Sequence, residues 1–87
     1  MYKLVFGGHF LRSAEKLGGK LKPKLKSSLD TLSENPFHPA LHTKSLSGKL
    51  SGYHSFRLSR NYRVIFKFIS DHTIYLLRVG DRKDIYR

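Results

Sequence analysis

Apolar positions along the chain change their spacing twice, and each change marks a different kind of element. Tyr2-Lys3-Leu4-Val5-Phe6 reads as a short strand, punctuated by Gly7 and Gly8. Phe10, Leu11, Ala14 and Leu17 then recur at helical spacing, which predicts a first helix over residues 9–17, ended by Gly18-Gly19. Leu21, Leu25, Leu29 and Leu32 form the apolar stripe of a second helix; Pro23 suits its first turn and Asn35-Pro36 stops it. Residues 36–52 carry no regular period and are dominated by Pro, Ser, Gly and His. A connection of that length in a small domain serves function or moves; Leu41, Leu46 and Leu50 are expected to pin it to the core. Beyond it, residues 53–58, 62–69 and 73–79 are rich in β-branched and aromatic side chains. The breaks Ser59-Arg60-Asn61 and Ser70-Asp71-His72 make them an antiparallel meander. The expected fold is α+β in the order β-α-α-β-β-β. Two N-terminal helices pack on an antiparallel sheet of about four strands, in a single domain over residues 1–87.

Strict alternation sorts the strand residues by face. Phe56 and Leu58 point one way, leaving Ser55 and Arg57 on the other. Val64, Phe66 and Phe68 face the core, leaving Arg63, Ile65 and Lys67 opposite. Tyr75, Leu77 and Val79 share a face, and Ile74, Leu76 and Arg78 take the other. One face is expected to pack on the helices. The open face then gathers Arg57, Arg63 and Arg78, a cluster that repels itself unless an anion fills it; three solvated sheet arginines are the simpler alternative.

Charge sharpens this picture. Seventeen Lys and Arg against six Asp and Glu give +11 over 87 residues. A basic domain of this size meets a polyanion: nucleic acid, an anionic membrane or an acidic protein. Eight of the ten lysines lie at or before Lys49, while six of the seven arginines lie at or after Arg57. Lysine is a hydrated point charge, whereas arginine offers a planar fork matched to phosphate oxygens. The first half is thus a generic attractive surface and the second a place to hold phosphates in defined geometry. Lys20, Lys22, Lys24 and Lys26 crowd the start of the second helix, the unfavourable end of its dipole. The chain has no cysteine, so no disulfide or thiolate metal site is possible, and its histidines are scattered without an acidic cluster. No cofactor or metal is expected. No apolar run reaches the length of a membrane span, which points to a soluble cytoplasmic protein.

The order of elements, together with Gly52-Tyr53, Phe56-Arg57-Leu58, Tyr62-Arg63-Val64-Ile65-Phe66 and the ending Val79-Gly80-Asp81-Arg82-Lys83-Asp84-Ile85-Tyr86-Arg87, resembles the RelE/ParE toxin superfamily. Leu46-Ser47-Gly48-Lys49-Leu50 resembles the family's L-x-G segment. The resemblance spans essentially the whole chain and lies closest to the RelE/YafQ-like nucleases. It implies cleavage of messenger RNA, commonly on the ribosome, and neutralisation by a cognate antitoxin in a toxin–antitoxin complex. It carries over Arg63, Arg82 and Tyr86 as site residues, with Arg57 on the preceding strand. Lys49, Ser55, Arg60, Lys67, Arg78 and Lys83 are expected to hold the RNA around them.

Metal-free RNA cleavage uses the 2′-OH as nucleophile. It needs a base for that proton, cations for the phosphorane and an acid for the leaving 5′-oxygen. Arg63 and Arg82 suit the charge role. Tyr86 suits stacking, or the base where neighbouring guanidiniums favour its phenolate. The acid is the departure from the family: RelE has lysines where this chain has Ser55 and Arg57, and arginine holds its proton too tightly. His54 titrates in the right range, but alternation sets it opposite Ser55 and Arg57 unless a bulge intervenes; His9, His38 and His42 are further possibilities. Two other functions compete. One is the ParE branch of the superfamily, which inhibits DNA gyrase. The other is a non-catalytic nucleic-acid-binding module, which would need the charge but no positioned Tyr86.

Overall fold

A computed structural model describes residues 1–86 of the chain. β1 (Lys3–Phe6) runs through Gly7 into α1 (Gly8–Glu15), and a short turn separates it from α2 (Leu21–Glu34). Two 3-10 turns, Pro39–Leu41 and Gly48–Leu50, flank the two-residue strand β2 (Lys44–Ser45). β3 (His54–Arg57), β4 (Tyr62–Ser70) and β5 (Thr73–Asp81) complete the chain of elements.

The strands form one sheet in the order β1-β5-β4-β3-β2. β2 to β5 pair antiparallel, as the meander predicts, but β1 lies parallel to β5, Lys3 opposite Thr73. The sheet is therefore mixed and has five strands, where about four antiparallel ones were expected. Period-two alternation is the same in both directions of pairing, and a strand as short as β2 leaves no period at all. The α+β class, the two helices and the element order stand. Gly7 makes the tight passage from β1 to α1: a Cβ there would collide with the Tyr75 hydroxyl and the Leu76 carbonyl oxygen.

Both helices cover one face. Phe10 and Leu17, with Leu25 and Leu32 of α2, meet Phe56, Val64, Phe66, Ile74, Leu76 and Val79 in a single apolar cluster. Leu41 joins it, but Leu46 and Leu50 do not; these two line a groove beside Tyr86 instead of pinning the connection to the core. Along β5 the faces differ from strict alternation. Ile65 pairs with Arg78 while Phe66 pairs with Leu76, so Leu77 is an extra residue. This bulge shifts the phase by one position. Ile74, Leu76 and Val79 are buried in the core, which corrects the expected grouping of Tyr75, Leu77 and Val79.

The reverse face of the sheet has its own small buried centre. Ser55, Ile65 and Ile85 are all nearly inaccessible, yet Ile65 and Ile85 stand outside the main cluster. The tail after β5 folds back to make it. The backbone N–H groups of Asp84 and Ile85 both donate to the Asp81 carbonyl (2.9 Å each), and that of Lys83 donates to Asp81 Oδ1 (2.8 Å). Ile85 comes down on Gly80, where any Cβ would lie 3.2 Å from Ile85 Cδ1. Among the described residues no helix is long and apolar enough to cross a membrane.

Candidate nucleic-acid interface

Four guanidinium-bearing residues converge at the corner formed by the β3–β4 turn and the start of the tail. Arg57 and Arg63 are direct partners across β3 and β4, and Gly80 is next in the same row. Arg60 lies in the turn itself. Arg82 is stitched to the turn by its backbone N–H, which donates to the Asn61 carbonyl (2.7 Å). Arg57, Arg60 and Arg82 are exposed; Arg63 is half-buried. Its Nη1 donates to the carbonyls of Ser59 (2.8 Å), Tyr62 (3.0 Å) and Arg60 (3.2 Å). Arg63 is thus the clamp of its own turn. One end of the guanidinium is fixed, while Nε and Nη2 make no hydrogen bond among the described residues. A guanidinium immobilised at one edge is preorganised for an anion at the other, since little entropy remains to be lost.

The next row runs Lys44, Ser55, Ile65 and Arg78 across β2, β3, β4 and β5. Tyr86 reaches over it: its hydroxyl donates to Ser55 Oγ at 3.2 Å. Lys44 Nζ stands 6.0 Å from the centre of the Tyr86 ring. Tyr86 keeps 39% of its surface exposed, so it offers a ring for contact although its hydroxyl is held. With Lys44, Leu46, Ser47, Lys49 and Leu50 it lines a groove along the sheet margin. Arg78 is half-buried in that row, and Lys83 is exposed on the tail. One row further, Lys67 Nζ lies over Tyr53 (5.1 Å) and Tyr75 (5.9 Å). The open face therefore interleaves cations with aromatic rings, the arrangement that binds phosphates and bases together.

His54 is not part of this face. β3 is regular, with Phe56 opposite Val64 and His54 opposite Phe66, so His54 lies on the helix side. Its ring stacks on Phe66 (5.6 Å) and meets Phe68 (5.2 Å) and Phe37 (6.1 Å) edge-on. Its Nδ1 is buried without a hydrogen bond, and burial lowers its pKa below the ordinary imidazole value. The bulge that would have turned it to the arginines occurs on β5 instead. Of the other histidines, His9 lies on α1, and His38 caps the first 3-10 turn by accepting the Ala40 N–H at Nδ1 (3.0 Å). His42 ends that turn with a left-handed backbone, φ 50°.

The structure thus brings together Arg57, Arg60, Arg63 and Arg82 at one corner, and Ser55, Lys49 and Tyr86 beside it. The residue that sequence reasoning missed is Lys44. It sat in a segment without period, and its pairing with Ser55 alone brings it to the tyrosine.

A family model described as "ParE toxin of type II toxin-antitoxin system, parDE" matches residues 8–86. Among solved structures, YafQ from E. coli strain BL21(DE3) superposes with a TM-score of 0.83 at 19% identity, covering 100% of both chains. The toxin–antitoxin complex RelBE2 from Mycobacterium tuberculosis gives 0.77 at 26% identity, covering 93% of this chain and 98% of the other. The YoeB–YefM complex from Staphylococcus aureus gives 0.75 at 17% identity, covering 92% and 95%. No curated protein sequence matches the chain.

Proposed function

The chain belongs to the ParE toxin family of type II toxin–antitoxin systems, and from that premise we propose that this member is an endoribonuclease that cleaves messenger RNA without a metal. The observation that carries the reading is the meeting of a clamped arginine corner with a tail tyrosine on one open sheet face. In the proposed reaction a 2′-OH attacks the adjacent phosphorus, giving a 2′,3′-cyclic phosphate as the bond to the 5′-oxygen breaks. Arg57, Arg63 and Arg82 neutralise the phosphorane, their forks matching its non-bridging oxygens. Tyr86 acts as the base in its phenolate form, its own proton having passed to solvent, or, as the phenol that donates to Ser55, stacks its ring on the neighbouring base. Lys44, with Lys49 beside it in the groove, supplies the proton to the 5′-oxygen; an ammonium releases a proton that a guanidinium keeps. This assignment replaces His54, which lies on the other face. Arg60, Lys67, Arg78 and Lys83 attract the strand.

The partner in this reading is an acidic antitoxin that covers the basic face and forms a toxin–antitoxin hetero-oligomer in the cytoplasm. Two of the similar structures are toxin–antitoxin complexes, and +11 on 87 residues favours fast, salt-sensitive association. The family description also names ParE, so the deciding experiment runs two assays side by side: cleavage of a messenger RNA, with and without ribosomes, and supercoiling by DNA gyrase. Wild-type protein should cut RNA and leave gyrase active. Tyr86→Phe should lower cleavage strongly if the hydroxyl moves a proton, and little if the ring only stacks, with Tyr86→Ala severe in both cases. Gyrase inhibition without RNA cleavage would replace the reading by the ParE one.

A further inference from the structure

A second basic cleft lies on the helix side of the sheet margin, away from Tyr86. α2 builds one wall with Lys24, Ser27, Ser28 and Thr31. These occupy positions i, i+3, i+4 and i+7, a polar stripe beside the apolar one that faces the core. Three of the four are small hydroxyl residues, so the helix leaves space where larger side chains would fill it. The opposite wall is Arg57 to Arg60, and His42 lies at the end. The cleft encloses about 600 Å³, against about 380 Å³ for the groove at Tyr86, and so falls in the range of nucleotide-sized sites. No carboxylate lines it.

The polar groups are disposed for an acceptor-rich ligand. Ser27 and Thr31 already donate their hydroxyl protons to the helix carbonyls of Lys24 and Ser27. Ser28 makes no hydrogen bond among the described residues, so its hydroxyl proton is available. Lys24, Arg57 and Arg60 are all exposed cations. The cleft is also joined to the open face. β2 covers β3 only as far as Ser55, so Arg57 sits on an unpaired stretch of sheet margin and belongs to both sites. A strand leaving the arginine corner can pass over this margin without crossing a β-strand.

We infer that this cleft is a second phosphate subsite, which holds the backbone of the same RNA strand beyond the point of cleavage. The inference rests on the reading of the open face as an RNA site. Its anchors are Lys24 and Ser28 on α2, with Arg57 shared between the two sites. Sugar-phosphate backbone fits better than a base, because three cations and free hydroxyl hydrogen-bonding capacity line the cleft, while the aromatic ring it offers, His42, stands at its end and outside the hydroxyl stripe.

The test uses 2′-O-methyl RNA, which cannot be cut, so binding is read independently of catalysis. A trinucleotide reaches only the open face; an oligonucleotide of about twelve residues reaches both sites. Lys24→Gln and Ser27→Glu, both at exposed positions, remove a cation or add an anion inside the cleft. Each should weaken the long oligonucleotide by about fivefold or more and leave the trinucleotide unchanged. Lys24→Gln should also reduce the slope of log K against log salt by about 0.7 for the long strand alone. If the long strand binds both variants as it binds wild type, the cleft is no subsite, whatever the open face does. If only ribosome binding falls while the oligonucleotide is unaffected, the cleft meets ribosomal RNA, and the inference of a continuing substrate strand is overturned. Wild-type protein that binds neither oligonucleotide would overturn both readings; binding of the trinucleotide alone would leave the open-face reading standing and remove this one.

Discussion

Ile85→Ala isolates the docking of the tail from the fold of the domain. Ile85 is 3% exposed, and its Cδ1 rests against Gly80. The residue lies outside the main core cluster, so truncation opens no void among the helices. Removing three buried carbons at about 0.8 kcal/mol each, less what a short tail can recover by settling, gives a loss of about 2 kcal/mol. At 1.4 kcal/mol per decade, that loss moves the tail's docking equilibrium by roughly thirtyfold. The backbone bonds from Asp84 and Ile85 to Asp81 do not hold the tail alone, since isolated turns are marginal in water. Arg82 and Lys83 are exposed in the docked tail, but their backbone is held in hydrogen bonds; undocking frees that backbone to enter trypsin, so the rate of cleavage there reads the equilibrium directly. Ile85→Ala should be nicked at this site on the order of ten times faster than wild type or more, while the cooperative unfolding of the rest, followed by far-UV dichroism in urea, changes little. RNA cleavage should fall in parallel, because Tyr86 loses its place over Ser55. Equal nicking rates for variant and wild type would show that the tail is not held by Ile85. Faster nicking with undiminished RNA cleavage would remove Tyr86 from the site.

Substitutions at three other positions probe other parts of the structure. Arg63→Ala should lose about 1–2 kcal/mol of stability with the three turn carbonyls uncapped, measured as a lower urea midpoint, together with a large loss of cleavage; Arg63→Lys keeps the charge but not the fork and should recover little of either. Lys44→Ala should slow cleavage by about a hundredfold or more without moving the urea midpoint, as expected for loss of a general acid at an exposed position, and an unchanged rate would return the search to Lys49. His54 makes stability depend on pH. Unfolded, its imidazole takes a proton below about pH 6.5, whereas the folded chain resists protonation because the ring is partly buried against Phe66 and Phe68. The unfolded state then binds more protons, so stability is full above that pH and falls as the pH drops toward the depressed folded value. Urea midpoints from about pH 7.5 to 5 should show this slope, and His54→Phe should flatten it.

The parts of the fold that were legible are those governed by a regular period. The stripe Leu21, Leu25, Leu29, Leu32 defines α2, observed over Leu21–Glu34. The alternation of Val64 and Phe66 against Arg63 and Ile65 sorts β4 by face. What was not legible depends on pairing between distant segments. No local pattern says that β1 lies parallel to β5, that Lys44 sits opposite Ser55, or that Leu77 bulges. The bulge matters most for the site. Read as a regular strand, β5 sends Ile74 and Leu76 to the arginine face, where they would spoil it; one extra residue puts them in the core and leaves Arg78 where it was expected. Charge patterning identified the arginine-rich half, but not that Arg63 spends one edge of its guanidinium on its own turn. The hydroxyl stripe of α2 has the same helical spacing as the apolar one, but small polar residues at that spacing are what any solvated helix face carries, so the cleft depends on the facing residues 57–60.

The parallel pairing of β1 with β5 also fixes an order of events during synthesis. Leu4 and Val5 are made well before Ile74 and Tyr75, the residues of the strand that accepts them. β1 must therefore wait, unpaired, while both helices and the intervening strands are made, and closing so long a loop is slow. Helices α1 and α2 form early but lack the sheet face that buries Phe10 and Leu32 until β4 and β5 follow. The tail bearing Arg82 and Tyr86 docks later still, on a sheet that must already exist. A nascent chain has no assembled arginine corner until Arg82, which ties the tail to the β3–β4 turn, has been made.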